Sequence, residues 1–340
     1  MRLLILTQAV DTNDPVLGFF HGWIGEFAKH FEHINVVCLR EGAHLLPNNV
    51  RIYSLGKESG ASRLKYVARF LSFAWRLRGE YDAVLVHMNQ EYILLGSVLW
   101  KLLGKKIYLW RNHYAGGLAT NLAAALCDKI FCTSKFSYTA KFKKTVLMPV
   151  GIDMSIFKPL SVERVPRSIL FFSRFAPSKH PDVLLKALEI LKASGTQFKA
   201  SFYGSAGPQD MAYRKDVVEK AQALGDSALF FEGVSNTEAP RIYSAHEIFV
   251  DLSASGMYNK TIFEAAACGC LVFASSRDFA ELVDPRFVFT ENDERDLSGK
   301  IKTLLSLSES ERNILQTTFT TIAQTHSLEA LGTKLVKEVR

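Results

Sequence analysis

No stretch of the 340 residues is both apolar enough and long enough to cross a bilayer. The longest apolar run, residues 92–103, is interrupted by Gly96, Ser97 and Lys101. Arg2 precedes only Leu-Leu-Ile-Leu before Thr7 and Gln8, too short for the apolar region of a leader peptide, so a first strand is expected there instead. Cysteine is scarce. The five, at positions 38, 127, 132, 268 and 270, show no paired metal-ligand spacing, and Cys268-x-Cys270 has no second pair to complete a zinc site. They read as reduced, buried thiols of a cytosolic protein, and no metal or other cofactor is expected. Gly-x-Gly-x-x-Gly is absent, which argues against a dehydrogenase built around a dinucleotide-binding domain. There is no internal repeat, no low-complexity tract and no recognisable nucleic-acid module, so nucleic acid is not an expected partner.

What is present is an alternation of apolar runs with amphipathic stretches, the mark of parallel α/β units. In the first half, strands are expected at residues 3–7, 35–39, 51–54, 83–87, 106–111, 129–133 and 145–148. The turn-rich segment Pro149-Val-Gly-Ile-Asp153, followed by Phe157-Lys-Pro159, closes that half. Residues 160–167 read as a linker. A second series follows at 168–173, 199–203, 228–231, 248–252 and 271–274, with a further short strand at 287–289; the last 45 or so residues read as helices. The length suits two domains, placed here at 1–160 and 161–325, with a terminal helix at 326–340 that packs back on the first. Charge divides with them. Residues 1–160 carry 20 Lys and Arg against 11 Asp and Glu, whereas 161–340 carry 21 against 23, so only the first half is suited to a polyanion or an anionic membrane.

Chemistry-bearing residues gather where strands end. Arg174-Phe-Ala-Pro-Ser-Lys179 sets two cations in one strand-to-helix loop. A departing diphosphate needs such charge, although charged loops are also common on surfaces. Thr261-Ile-Phe-Glu264 fits a capping box, and fits equally a carboxylate accepting hydrogen bonds from ribose hydroxyls, with helix amides near Thr261 meeting phosphates. His87 and His113 each follow an apolar strand of the first half. A histidine there can be a packed structural residue or can face a ligand. Gly18, in Gly18-Phe-Phe-His-Gly22 between the first strand and a helix expected at 23–30, is either an ordinary loop glycine or a point of close approach to a ligand.

Four segments of the second half match, in order, the donor-binding side of family-4-type retaining glycosyltransferases. Arg174 and Lys179 resemble that family's pair on the donor diphosphate. Tyr203-Gly204-Ser205 resembles its strand-end glycine turn, and Phe231-Glu-Gly-Val234 the turn beside the base. Glu264-Ala-Ala-Ala-Cys-Gly-Cys-Leu-Val resembles the block whose glutamate holds the ribose. In the first half, residues 149–153 resemble the family's inter-domain segment, and His113 is similar in place to its histidine near the donor sugar. The resemblance implies the α/β GT-B fold, two Rossmann-like domains with parallel sheets facing across a cleft, acceptor side first. It also implies metal-independent transfer with retention. Implied catalytic residues are His113, Arg174, Lys179 and Glu264; implied donor contacts are Gly18, Gly204, Val234, Asn259, Lys260 and Thr261. The sequence departs from the family at position 256, a glycine where the first of two glutamates is common, with Asn259 and Lys260 nearby as alternative polar contacts.

Residues 62–78 form an amphipathic helical pattern with Arg63, Lys65, Arg69, Arg76 and Arg78, and Lys135, Lys141, Lys143 and Lys144 form a second basic cluster. Such a helix suits an anionic bilayer surface, and suits equally a core-packed helix with solvated cations. The expected partners are a nucleotide-sugar donor, a glycan or lipid-linked acceptor such as a surface polysaccharide, and an anionic membrane surface on the cytoplasmic side. Two other functions remain open: a sugar-nucleotide epimerase on the same architecture, and a nucleotide-binding scaffold that has lost transfer.

Overall fold

The structure is a computed structural model that describes residues 1–14, 16–256 and 259–340; Met257 and Tyr258, in the loop of greatest interest, lie outside the described residues. The chain forms two units, one from Met1–Gly151 together with Leu328–Arg340, the other from Ile152–Ser327.

The first unit is a seven-stranded parallel sheet. Its strands are β1 (Arg2–Val10), β2 (His33–Glu41), β3 (Val50–Ser54), β4 (Ala83–His87), β5 (Lys106–Trp110), β6 (Lys129–Cys132) and β7 (Thr145–Leu147), in the order β3-β2-β1-β4-β5-β6-β7. The central strands are continuous apolar runs because both faces are covered. One face packs on α1 (Gly18–Ala28) through Trp23 and Phe27, together with Leu331 and Leu335 of the C-terminal helix. On the other face, α2 (Arg63–Arg76), α3 (Glu91–Leu102) and α4 (Leu118–Leu126) contribute Phe70, Ile93, Trp100, Ala123 and Ala124.

The second unit has a five-stranded parallel sheet of β8 (Ser168–Phe172), β9 (Lys199–Tyr203), β10 (Ala228–Phe231), β11 (Ile248–Asp251) and β12 (Leu271–Ala274), in the order β10-β9-β8-β11-β12. Its helices are α5 (Pro181–Ala193), α6 (Met211–Lys220), α7 (Ala239–Ser244), α8 (Lys260–Ala267), α9 (Arg277–Ala280), α10 (Glu294–Leu305) and α11 (Glu309–Thr325). Twelve expected strands are present. The thirteenth is not: Pro285–Phe287 is a 3₁₀ turn, and Val288 makes only an isolated bridge to Ala274. The turn takes the donors that a strand would need, with Phe287 N–H donating to Asp284 O at 3.0 Å and Val288 N–H to Pro285 O at 3.1 Å. Residues 160–167 are no free linker either, since Leu160 N–H donates to Ser244 Oγ at 3.1 Å and Val165 N–H to Ala245 O at 2.9 Å.

The chain enters and leaves this unit at neighbouring points, where Ile152 N–H donates to His326 O at 2.8 Å. It then returns to the first unit as α12 (Leu328–Val339). There Tyr108 OH donates to Val339 O at 3.1 Å and the Lys129 ammonium meets Glu338 at 3.0 Å. Gly151 adopts φ +76°, and a Cβ there would collide with Leu331 and the Trp23 indole, whose Nε1–H donates to Gly151 O at 3.1 Å.

Leu331 and Leu335 are fully buried. Each change to alanine is expected to destabilise the first unit by about 2–5 kcal/mol, read as a lowered denaturation midpoint in guanidinium chloride.

Candidate functional site

In the second sheet, β8 is followed outward by β9 and β10 on one side, and the chain then crosses back to β11 and β12 on the other. Loops leaving β8 and β11 therefore diverge at their carboxyl ends and open a crevice, the usual ligand position in such sheets. Lys179 comes from the first loop, at the end of the 3₁₀ turn Pro177–Lys179. The next residue, His180, has φ +48°, and Pro181 starts α5, which turns the chain sharply. The Lys179 ammonium donates to Ser253 Oγ at 2.9 Å and Asn259 Oδ1 at 3.2 Å, both in the β11 loop. Asn259 Nδ2 in turn donates to Asp251 Oδ2 at 2.7 Å and Ser253 Oγ at 2.6 Å, and Ser253 N–H donates to Asp251 Oδ1 at 2.8 Å. Burial pulls the Lys179 pKa below that of an ordinary lysine; the Asp251 carboxylate opposes the shift and the charge of Arg174 reinforces it. Arg174 is exposed and has no hydrogen bond or ion pair among the described residues. The loop thus brings together two cations that repel one another, and the Asp251 carboxylate offsets only the charge of Lys179.

The α8 N-terminus adds to that field. Its N-cap, Asn259, makes no capping bond because its side chain is committed to Asp251, Ser253 and Lys179. Asn259 therefore gives the helix no side-chain cap, and the first turn of α8 carries the positive end of the helix dipole. The capping-box reading of Thr261 and Glu264 therefore fails. Thr261 is the second helical residue, and Glu264 lies a turn farther in, buried, accepting a long hydrogen bond from Tyr243 OH at 3.4 Å. Burial raises the Glu264 pKa above the carboxylate range and Lys260 draws it back down. Burial likewise pulls Lys260 down to about 8, against the attraction of Glu264 and Asp153. A carboxylate so lightly bonded keeps acceptor capacity for a pair of hydroxyls.

Beyond β9 and β10 the loops are stitched together. A Cβ on Gly204 would strike the Ser173 carbonyl oxygen, so only glycine lets these two backbones touch. Phe175 N–H donates to Ser205 O at 3.0 Å, Ser205 Oγ donates to Glu232 at 3.1 Å, and Gly233 N–H donates to Ser205 Oγ at 3.1 Å. Val234, just beyond, is half-buried. Gly256, where a carboxylate is common in the resembled family, is buried at φ +89°, and its N–H donates to Asp278 Oδ2 at 3.3 Å.

His113 and Gly18 belong to the first unit. His113 follows β5; its Nδ1 lies 2.9 Å from Ala115 N and 3.3 Å from Ala115 O, and its ring stacks on Tyr114 at 4.6 Å. His87 is packed instead, stacked on Phe20 at 4.0 Å with Nδ1 3.3 Å from Thr7 Oγ1. Gly18 is the first residue of α1, not a loop glycine. A Cβ there would approach the chain's own Thr12 carbonyl at 2.9 Å. Sequence reasoning missed Asp251 and Ser253. The only local signal was an acidic residue closing an otherwise apolar strand.

Residues 166–307 match the model of the family described as glycosyl transferases group 1. This part of the chain is similar to that family. Among curated proteins, the chain is 29% identical over 132 residues to the GtfA subunit of a UDP-N-acetylglucosamine–peptide N-acetylglucosaminyltransferase from Streptococcus pneumoniae, a match covering 39% of the chain and 25% of that protein. It is 24% identical over 149 residues to a D-inositol 3-phosphate glycosyltransferase from Segniliparus rotundus, covering 41% and 33%. The matched stretch thus spans a quarter to a third of these relatives. Fold similarity extends along the whole chain. Anabaena HepE, solved with UDP and glucose, superposes with a TM-score of 0.77 at 18% identity, covering 99% of this chain and 98% of that one. Sucrose-phosphate synthase from Thermosynechococcus elongatus gives 0.76 at 16% identity, covering 99% and 98%. The fold is GT-B, two Rossmann-like α/β units, and the second unit, which carries the family match, holds Arg174, Lys179, Asn259, Lys260, Thr261 and Glu264 in its β8 loop and first turns of α8.

The Lys260 shift makes stability depend on pH. Between about 8 and the ordinary lysine value near 10.5, the unfolded chain binds the proton that the folded chain has released, so stability rises with pH across that window. Lys260→Met is expected to remove this rise, measured as the difference between variant and wild-type unfolding free energies at the two ends of the window.

Proposed function

We propose that the protein is a glycosyltransferase that moves a sugar from a nucleotide-sugar donor to an acceptor hydroxyl with retention of configuration. One observation carries the reading: Lys179, with the charge of Arg174 acting on it, is hydrogen-bonded to the N-cap residue of α8 at the switch point of the sheet. In this reading the donor diphosphate lies there. As the sugar–oxygen bond breaks, the negative charge gathering on the leaving phosphate is taken up by the two side chains and the helix amides, without a metal. Glu264 accepts the ribose hydroxyls. The acceptor hydroxyl attacks from the face that the nucleotide leaves and passes its proton to the departing phosphate, so no protein nucleophile is used. His113 is the first unit's candidate substrate contact. That the group 1 relatives named above include UDP-N-acetylglucosamine and inositol phosphate enzymes supports the class of reaction.

The same reading extends to a lipid-linked or surface-polysaccharide acceptor, presented at an anionic membrane on its cytoplasmic side. No described helix is long and apolar enough to cross a membrane. The outward faces of α2, α3 and α4, however, expose Leu64 (83%), Trp75 (53%), Val98 (69%), Leu102 (82%) and Leu118 (76%). These helices carry Arg63, Lys65, Arg69, Arg76 and Lys101 against a single carboxylate, Glu91. Apolar side chains ringed by cations suit the headgroup region of an anionic bilayer, with each surface cation contributing about 1 kcal/mol.

Nucleoside diphosphates and sugar nucleotides, screened by thermal shift, are expected to stabilise the protein by about 2.7 kcal/mol at 100 times their dissociation constant. Lys179→Ala and Glu264→Ala should each lower kcat/KM by about 10²-fold or more, and Glu264→Ala, which leaves Lys260 buried without that carboxylate, should also lower Tm. Binding without acceptor-dependent release of nucleoside diphosphate would favour the scaffold function, and release only as a slow leak would favour the epimerase. In flotation assays the protein should rise with phosphatidylglycerol vesicles at low salt and not with phosphatidylcholine. The combined change Leu64→Asp, Trp75→Asp and Leu102→Asp should abolish flotation while nucleotide binding is retained.

A further inference from the structure

Past the carboxyl end of β12 lies a second polar cluster that the diphosphate site does not use. Ser275, Ser276 and Asp278 are 8%, 3% and 7% exposed, and the hydroxyl oxygens of both serines are buried without a hydrogen-bond partner. Ser276 is the N-cap of α9, yet its side chain makes no capping bond, so the local turn does not account for it. A buried hydroxyl left unpaired is costly, and an orphan of this kind calls for a cause.

The position of the cluster supplies one. Ser275 N–H donates to Asp251 O at 3.3 Å, the residue that anchors Lys179's partners. Arg277 N–H donates to Ser255 Oγ at 3.0 Å, and Gly256 N–H donates to Asp278 Oδ2 at 3.3 Å. The loop 253–256 therefore runs between the Lys179–Asn259 network on one side and the serine–aspartate cluster on the other. Whatever is joined to an anion held by Lys179 comes next to this loop.

The donor set selects among chemical classes. Serine hydroxyls both donate and accept, whereas an ionised carboxylate only accepts. A phosphate would be repelled by Asp278. An apolar group would leave the serines unpaired. Vicinal hydroxyls of a neutral sugar satisfy both, donating to the carboxylate and exchanging hydrogen bonds with the serines. We propose that Ser275, Ser276 and Asp278 recognise the hydroxyls of the sugar attached to the donor diphosphate and set which sugar is accepted. This inference rests on the transferase reading, since the diphosphate on Lys179 brings the sugar to the loop.

The test uses the full chain and calorimetric titration with UDP, GDP, UDP-glucose, UDP-galactose, UDP-N-acetylglucosamine and GDP-mannose. The best-bound sugar nucleotide and its parent diphosphate are then measured on Ser275→Ala, Ser276→Ala and Asp278→Asn. Each serine variant is expected to weaken the sugar nucleotide about 3–10-fold, one neutral hydrogen bond, and Asp278→Asn by about 10-fold or more, one charge-assisted bond, with the diphosphate unchanged. The serine variants should keep or raise the Tm of the unliganded protein, because each removes an unpaired buried hydroxyl. Equal loss of both ligands, no loss of either, or a lowered Tm in both serine variants overturns the proposal and leaves the transferase reading standing. Failure of the wild type to bind any of the six overturns that reading, and the sugar site with it.

Discussion

The working edge of the second unit is organised by one buried carboxylate. Asp251 closes β11, the strand beside the switch point, and its two oxygens take up the Ser253 amide and the Asn259 side chain. Those two residues receive the Lys179 ammonium from the neighbouring loop. Without a negative charge at that spot, a partly buried lysine would face only the dipoles of a hydroxyl and an amide, with Arg174 pushing against it. The arrangement keeps the lysine in place without neutralising the pair, and so leaves an electrostatic appetite for something more negative than one aspartate. It also occupies the side chain of Asn259, which is why α8 begins uncapped. Cation placement and the loss of the Asn259 cap are thus two results of the same contact.

The strand pattern was legible because buried parallel strands are short apolar runs between turn residues, a signal carried by neighbours in sequence. The cation pair and Glu264 were legible as residue types at strand ends. The connections between them were not. That Lys179 reaches Ser253 and Asn259, some 80 positions on, follows from β8 and β11 being adjacent, and no local pattern states strand order. The Thr261–Glu264 spacing pointed equally to a cap. What decided the matter is that the helix starts two residues earlier, at an asparagine whose side chain is drawn away by tertiary contacts. Gly18 and His87 gave no local sign of their environment. A helix start and an aromatic stack account for them, and both depend on what the rest of the chain brings near.

The two units carry their polarity differently. In the second, charge is drawn inward to the edge of the sheet, and the net balance is close to neutral. In the first, the excess of cations lies largely on helices and loops, next to leucines and a tryptophan that the core has no space for. The second pattern is typical of a site that holds a small ligand in register. The first is typical of a surface that grips an extended, charged and partly apolar object without reading its detail.

The return of the chain to the first unit at Leu328 has a consequence for biogenesis. The first sheet is complete once Leu147 has been synthesised, but the helix that covers part of its face, with Leu331, Leu335 and Val339, is translated only after every residue of the second unit. The first unit therefore cannot complete its native packing until the inserted unit has been synthesised. The inserted unit can reach its native contacts while its host still shows bare apolar surface around Trp23 and Tyr108. That interval is when the nascent chain is most exposed to aggregation and most in need of a chaperone.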